Sequence, residues 1–233
     1  MTILCIETST NCCSSAIYKD GKVIASQANL IAANHASELP LFINTLLDNA
    51  SALQLTLDAI ALSQGPGSYT GLRIGASIAK GLCYGLNIPL IPIDTLQILC
   101  AAALNQIPNI ATNAMLCPML DARRMEVYTS LYTREGVRTR DITATIIDQN
   151  AFSQELENQH IYFFGNGADK CKNIITAENA HFVDNILPHA QFMGHIAEQS
   201  HTTLDIKQIA YYEPFYLKEF IPAPSHIKGL ETK

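Results

Sequence analysis

"SQGPGSYTGLRIG", residues 63–75, is the most glycine-dense stretch of the chain, and its reading decides the fold. It follows "LDAIALSQ" (57–64), an apolar run that reads as a buried strand. It leads into "TGLRIGASIAKGLCYGL" (70–86), whose apolar positions recur at helical spacing. A glycine-rich turn between strand and helix either grips a phosphate or simply starts the helix. The P-loop spacing puts Thr70 or Leu72 where its second glycine belongs, and its lysine is missing. The dinucleotide spacing puts Thr70 where Gly71 would be needed, and a nucleophile elbow fails around Ser68. Pro66 and Gly67 suit a turn, and Ser68 or Thr70 suits a helix cap. Even so, the N–H groups of a helix N-terminus can hold an anion without any motif. Gly67, Ser68 and Arg73 are therefore the candidates for an anion or nucleotide contact, Arg73 adding a charge-assisted bond.

Outward from this turn, the chain reads as an α/β protein. "TILCIETS" (2–9) is a buried strand, and Asp20-Gly21 between two β-prone runs signals a hairpin. A helix is predicted over about 36–53, then the strand and helix already described, then strand "IPLIPID" (88–94) and helix "TLQILCAAAL" (95–104). "NQIPNIATN" (105–113) breaks the pattern. Strands resume in "AMLCPMLD", "MEVYTSLYT" and "GVRTRDITATII" (136–147). They are followed by helix "NAFSQELEN", strand "IYFFG", short helix "NGADKCKNII", helix "LPHAQFMGHIAEQS" and an extended, proline-broken tail from residue 211. Two lobes follow, 1–104 and a smaller 105–233, with the C-terminal segment free to pack back on the first. Each opens on consecutive antiparallel strands, giving mixed sheets with flanking helices.

Composition narrows the function. The chain has 233 residues, 48% hydrophobic and 15% charged, with net charge −6. This balance argues against a bulk-basic nucleic-acid binder, because backbone affinity needs many Lys and Arg. No Lys or Arg lies between Lys22 and Arg73, whereas Arg123, Arg124, Arg134, Arg138 and Arg140 crowd one stretch, a candidate partner- or tRNA-facing surface. The seven cysteines include no C-x-x-C pair, which argues against both a disulfide framework and a zinc site. No signal-peptide pattern or 18-residue apolar run occurs, so a cytoplasmic protein without a membrane span is expected.

The helices carry more apolar surface than one sheet requires. Leu39, Ile43, Leu46, Ala50 and Leu53 form one stripe of the 36–53 helix, widened by Phe42 and Leu47. The next helix has two, Leu72/Ala76/Ala79/Cys83/Leu86 and Ile74/Ile78/Leu82, with Gly71, Gly75 and Ala79 making a flat flank. Leu39, Phe42, Ile43, Leu46, Leu72, Gly75 and Ala79 are the candidate partner-binding face; full burial inside the chain is the competing reading. Among polar residues, Glu7 ends the first strand, where catalytic carboxylates often sit. A carboxylate bonded to the Thr8–Thr10 turn is the alternative. Asp121 with Arg123 and Arg124 would bind a phosphate or form a solvated hairpin. His195 and His201 are six apart, roughly 240° around a helix, and cannot converge. Cys12-Cys13 has no histidine nearby in sequence to make a nucleophile.

"ILCIETST", "GPGSYTGLRIG", "IPLIPIDTLQIL" and "LDARRMEVY", in this order within residues 3–128, closely resemble the TsaB (YeaZ) family; "FFGNG" and "FYLK" extend the likeness. The family comprises accessory subunits of bacterial tRNA threonylcarbamoyladenosine biosynthesis. The resemblance implies an actin-like (ASKHA) fold of two RNase H-like lobes and a catalytic partner, TsaD. With it come a TsaE ATPase in a larger complex, a homodimer when the chain is alone, and tRNA met only through the complex. By the same resemblance Asp94 and Ile98 stand where TsaD carries two metal-binding histidines, and this pair cannot hold iron or zinc as two histidines do. Met125 stands where the family commonly has glycine, in a turn that wraps phosphates in actin-like ATPases, and it tolerates positive φ poorly. The expectation is a non-catalytic scaffold with no catalytic or metal residues and no cofactor bound alone, leaving room for ATP or ADP at the interface with TsaD. An independent ATP-using transferase or glycoprotease-like peptidase is the alternative.

Overall fold

The computed structural model describes residues 1–31, 33–200 and 202–218. The first sheet holds β1 (Thr2–Glu7), β2 (Cys13–Lys19), β3 (Lys22–Asn29), β4 (Ala59–Gly65) and β5 (Leu90–Asp94), in the order β3-β2-β1-β4-β5. β1, β2 and β3 are antiparallel neighbours; β4 and β5 join β1 in parallel. Asp20 and Gly21 take φ values of 44° and 85°, the double left-handed turn that the Asp-Gly pair favours.

β1 is buried along its whole length because both faces of its sheet are covered. Alternate residues divide between two cores, as the period of a strand requires. Leu4 and Ile6 pack with α1 (His35–Ala52) and α2 (Tyr69–Leu86). Ile3 and Cys5 pack with Ile98 of α3 (Thr95–Gln106) and with Ala190 and Met193 from the C-terminal part of the chain. α3 also covers the second sheet, setting Leu96, Leu99 and Ala103 against Leu116 and Leu120.

That second sheet contains β6 (Met115–Asp121), β7 (Glu126–Thr129), β8 (Tyr132–Thr133), β9 (Thr143–Ile146), β10 (Ile161–Phe164) and β11 (Ala180–Val183). Its order is β11-β10-β6-β7-β9, with β8 paired to β6. The molecule thus has the α/β, two-lobe actin-like fold of RNase H-like units, with mixed sheets and flanking helices. Three short helices complete it: α4 (Ser153–Leu156), α5 (Gly194–Glu198) and α6 (Ile206–Tyr211). Residues 190–200 and 202–212 return to the first sheet, where Ile209 and Tyr212 join the core beneath α2. No helix among the described residues is long and apolar enough to cross a membrane.

The second lobe departs from the sequence reading in its small elements. "MEVYTSLYT" splits into β7 and β8. Pro118 in β6 has no N–H to give the ladder, and Thr129 Oγ1 donates to the Pro118 carbonyl instead (2.8 Å). Of 136–147 only β9 pairs as a strand, with β7. The earlier part folds back on β8 through a single antiparallel bridge, Tyr132 opposite Arg138, with Thr133 N donating to Val137 O (2.8 Å) and Thr139 N to Leu131 O (2.8 Å). "NGADKCKNII" holds one 3-10 turn, and "LPHAQFMGHIAEQS" a 3-10 turn plus the short α5. β11 and α6, the latter with an Asp205/Gln208 capping box, were not anticipated. Residues 219–229 of the expected extended tail, and His201, lie outside the described residues.

Six of the seven residues expected on the partner-binding face lie inside the chain. Leu39, Ile43, Leu46, Leu72 and Ala79 are buried core, and Gly75 is buried too; Phe42 is half-buried. The flat flank of α2 is not an external surface, because the Thr8 side chain and Leu62 press against it. The stripe that reaches solvent is the other one. Ile74, Ile78 and Leu82 are half-buried, and Gly81 and Gly85 beside them face open space.

These two sides of one helix predict opposite responses to a methyl group. At Gly75 a Cβ would overlap Thr8 Oγ1 and lie 3.2 Å from Leu62 Cδ1. Gly75→Ala should therefore destabilise by about 1–3 kcal/mol. Gly81→Ala meets nothing within 4 Å and should stabilise, by up to about 1 kcal/mol of helix propensity. Urea melts of both variants check this; a Gly75→Ala protein as stable as Gly81→Ala would contradict the packing described.

Candidate functional site

The glycine turn is built against the β1–β2 turn with no side chain between them. Ser68 N donates to Ser9 O at 2.6 Å, and Ser68 Oγ accepts from Gly71 N at 3.2 Å, capping α2. A Cβ at Gly67 would overlap the Ser9 carbonyl, and one at Gly71 the Thr8 carbonyl. The glycines are thus needed for one backbone to approach another within the chain, a demand independent of any phosphate.

The outer side of this turn forms one wall of a cleft of about 650 Å³ between the lobes. Ser9, Thr10, Gly67, Ser68 and Thr70 line it from the first lobe; Asp121, Arg123, Arg124 and Asn166 line it from the second. Residues 215–218 close one side. Phe215 N donates to Gln64 O (2.7 Å), the Tyr216 ring lies 4.8 Å from that of Tyr69, and Lys218 pairs with Glu126 across the cleft. Gly67 and Ser68 therefore lie where an anion could be met. Arg73 is turned to the strap instead: its Nε donates to Tyr216 Oη (3.3 Å) and its guanidinium stacks 4.1 Å above the Tyr69 ring. The sequence reading let this extended tail pack back on the first lobe; its place at the cleft, and the part played by the aromatic "YYEPFY" (211–216), come from the structure.

The β6–β7 turn takes an unexpected form. Positive φ falls on Arg123 (69°) and Arg124 (49°), and Met125 is spared it. The loss of glycine at Met125 therefore does not strain Met125; the left-handed conformation sits on the preceding pair. Asp121 Oδ1 accepts from Arg123 N (3.1 Å), and Asp121 also pairs with Lys170. Two exposed arginines held in this sparsely populated conformation at a cleft are the kind of strain that gathers at functional sites. The wider arginine cluster disperses. Arg138 Nη1 donates to Asp94 Oδ2 (3.1 Å), and Arg140 pairs with Glu155.

Beneath the cleft floor, Glu7 is fully buried and its Oε1 accepts from Ser9 N at 2.6 Å, so it serves the turn after β1. Burial pushes its carboxyl up to about 7, only partly offset by Ser9 and Ser63. Asp94 caps α3 through Leu96 N (2.8 Å), and burial raises it to about 6 against the opposing pull of Leu96 N–H and Arg138. Ile98 is wholly inside the core, so the Asp94/Ile98 position is a helix start and a packing site. All seven thiols are buried and free; burial raises each, Cys13 to about 12, which leaves no thiolate nucleophile at neutral pH.

Residues 21–217 match the model of the family described as TsaD: tRNA N6-adenosine threonylcarbamoyltransferase. The chain is 30% identical to the tRNA threonylcarbamoyladenosine biosynthesis protein TsaB of Haemophilus influenzae over 230 residues, 94% of each chain. It is 36% identical to the TsaB of Escherichia coli over 135 residues, 58% of this chain and 56% of that one. Among solved structures, an uncharacterized Pseudomonas aeruginosa protein with similarity to peptidase YeaZ superposes with a TM-score of 0.77 at 26% identity. That match covers 93% of this chain and 99% of the other. YeaZ from the same organism superposes with a TM-score of 0.72 at 25% identity, with the same coverage.

The buried Glu7 carboxyl predicts a pH-dependent stability. It binds its proton more tightly folded, at about 7, than at the ordinary 4.5. The fold therefore favours the neutral acid, and stability falls as pH rises from about 4.5 to about 7, by up to roughly 3 kcal/mol. Glu7→Gln removes the titration. Its stability advantage over the parent should be largest at pH 8 and shrink towards pH 4.5 in denaturant melts. A gap that stays constant across that range would contradict the assignment.

Proposed function

The chain belongs to the TsaB (YeaZ) family, and on that footing we propose that it serves tRNA threonylcarbamoyladenosine biosynthesis as a non-catalytic partner of TsaD. In this reading residues 1–104 and 105–233 are the two lobes, and the chain works in the cytoplasm. It pairs with a second copy when alone and takes part with TsaD in a larger complex that includes the TsaE ATPase. It meets tRNA through that complex, and ATP or ADP, where present, sits at the interface with TsaD.

The observation that carries the partner role is the outer stripe of α2. Ile74, Ile78 and Leu82 pack against the core yet keep part of their surface in solvent, and Gly81 and Gly85 leave room for the backbone of another helix to come close. Exposed Tyr84 and Leu86 extend the apolar surface. Such an edge is consistent with an interaction site rather than with core. The pairing face proposed from these helices thus uses their outer residues, with Phe42 the one earlier candidate that remains half-exposed. For the alternative of a glycoprotease-like peptidase, a cysteine nucleophile is disfavoured by the burial of all seven thiols. For the alternative of an independent ATP-using transferase, a metal held at the Asp94/Ile98 position is disfavoured, since one side chain there is a helix cap and the other is core.

Gly81→Arg tests the interface without touching the interior, since nothing lies within 4 Å of a Cβ there. The variant should melt at or above the parent yet bind TsaD roughly 5- to 150-fold more weakly, with a similar loss of self-association. Sedimentation and a TsaD titration measure both. A folded Gly81→Arg protein with both associations unchanged would exclude this face.

A further inference from the structure

The far end of the second sheet, away from the cleft, brings two histidines together. β10 and β11 run parallel with Tyr162 opposite His181. His160 lies two residues before Tyr162, so residues 160, 162 and 181 share one face of the pleat. Their rings are tilted neighbours, with centroids 5.1 Å apart for His160–His181 and 5.0 Å for Tyr162–His181. The backbone beneath is held by the ladder, Met115 N donating to His160 O at 2.8 Å. Nδ1 of His160 and Nε2 of His181 are 2.9 Å apart, and both rings are half-exposed.

We propose that His160 Nδ1 and His181 Nε2 form a two-imidazole chelate for a divalent transition-metal ion, with Cu2+ preferred. Metal–imidazole bonds of about 2.0–2.1 Å spanning that separation subtend roughly 90° at the metal. A right angle is the cis angle of tetragonal Cu2+ and octahedral Ni2+. The intrinsic affinity order of the divalent ions then puts Cu2+ ahead of Ni2+ and Zn2+. In the metal-free pair one nitrogen donates a hydrogen bond to the other. Binding needs both lone pairs, so the two rings carry their protons on His160 Nε2 and His181 Nδ1, and a neutral pair releases no proton. The rings turn so that both lone pairs converge on the ion in place of each other. Among the described residues no third histidine, cysteine or carboxylate joins them, which leaves the remaining coordination positions to water. The site is independent of the cleft, of α2 and of the partner role.

The test uses tag-free, metal-free full chain titrated calorimetrically with NiCl2, and the variants His160→Gln and His181→Gln, which keep hydrogen-bonding side chains. The parent should take one Ni2+, and each variant should bind it at least about tenfold more weakly at an unchanged melting temperature. In proton NMR of the parent, one equivalent of paramagnetic Ni2+ should broaden the imidazole resonances of His160 and His181 first. A variant that keeps the parent's Ni2+ affinity, or broadening that spares these two rings, would overturn the proposal; the NMR arm holds even if a variant fails to fold.

Discussion

The contact on which the molecule depends is backbone against backbone. The α2 N-terminal turn lies on the turn that follows β1, joined by Ser68 N to Ser9 O, with Gly67 and Gly71 leaving no side chain between. This contact fixes where β1 and β4 end and seals Glu7 away from water beneath the cleft. It also sets the level at which Gly65 and Gln64 meet the backbone of the C-terminal strap. A single added carbon at Gly67 would separate these layers, and the cleft floor, the buried carboxyl and the strap would shift together.

The same packing divides α2 into two surfaces with different purposes. Its glycine flank is consumed by Thr8 and Leu62, which lets the helix sit low on the sheet. With the inner side used in this way, Ile74, Ile78 and Leu82 are lifted to the rim of the first lobe beside two open glycines. The cleft is treated differently again. It keeps polar walls, two arginines in left-handed conformation and an aromatic strap, whereas the positions that would have to carry metal chemistry, Asp94 and Ile98, are spent on capping and core.

The first lobe was legible because its signals are local and strong. Asp20-Gly21 allows little besides a tight hairpin, and long periodic runs marked α1, α2 and α3. The second lobe was less so, since its strands and helices run to only a few residues and are held by partners distant in sequence. β9 is a strand only where β7 pairs with it. The small-residue stripe Gly71/Gly75/Ala79 was visible as a pattern, yet a pattern does not say what lies opposite. The answer, Thr8 and Leu62, comes from strands far away in the chain. Gly67 and Ser68, candidates for an anion contact, line the cleft, while Arg73 is claimed by Tyr216, a residue 143 positions later. The left-handed arginines could not be anticipated, because composition marks a glycine and leaves two arginines unmarked.

The central claim, that this chain assists catalysis by association and performs none itself, is tested most directly by reconstitution. Threonylcarbamoyl transfer to tRNA would be measured with TsaD and its co-substrates, with and without this chain, alongside the chain alone. The account predicts modification only when TsaD and this chain are both present, and none from the chain by itself. Modification by the chain without TsaD, or full activity of TsaD without the chain, would contradict it.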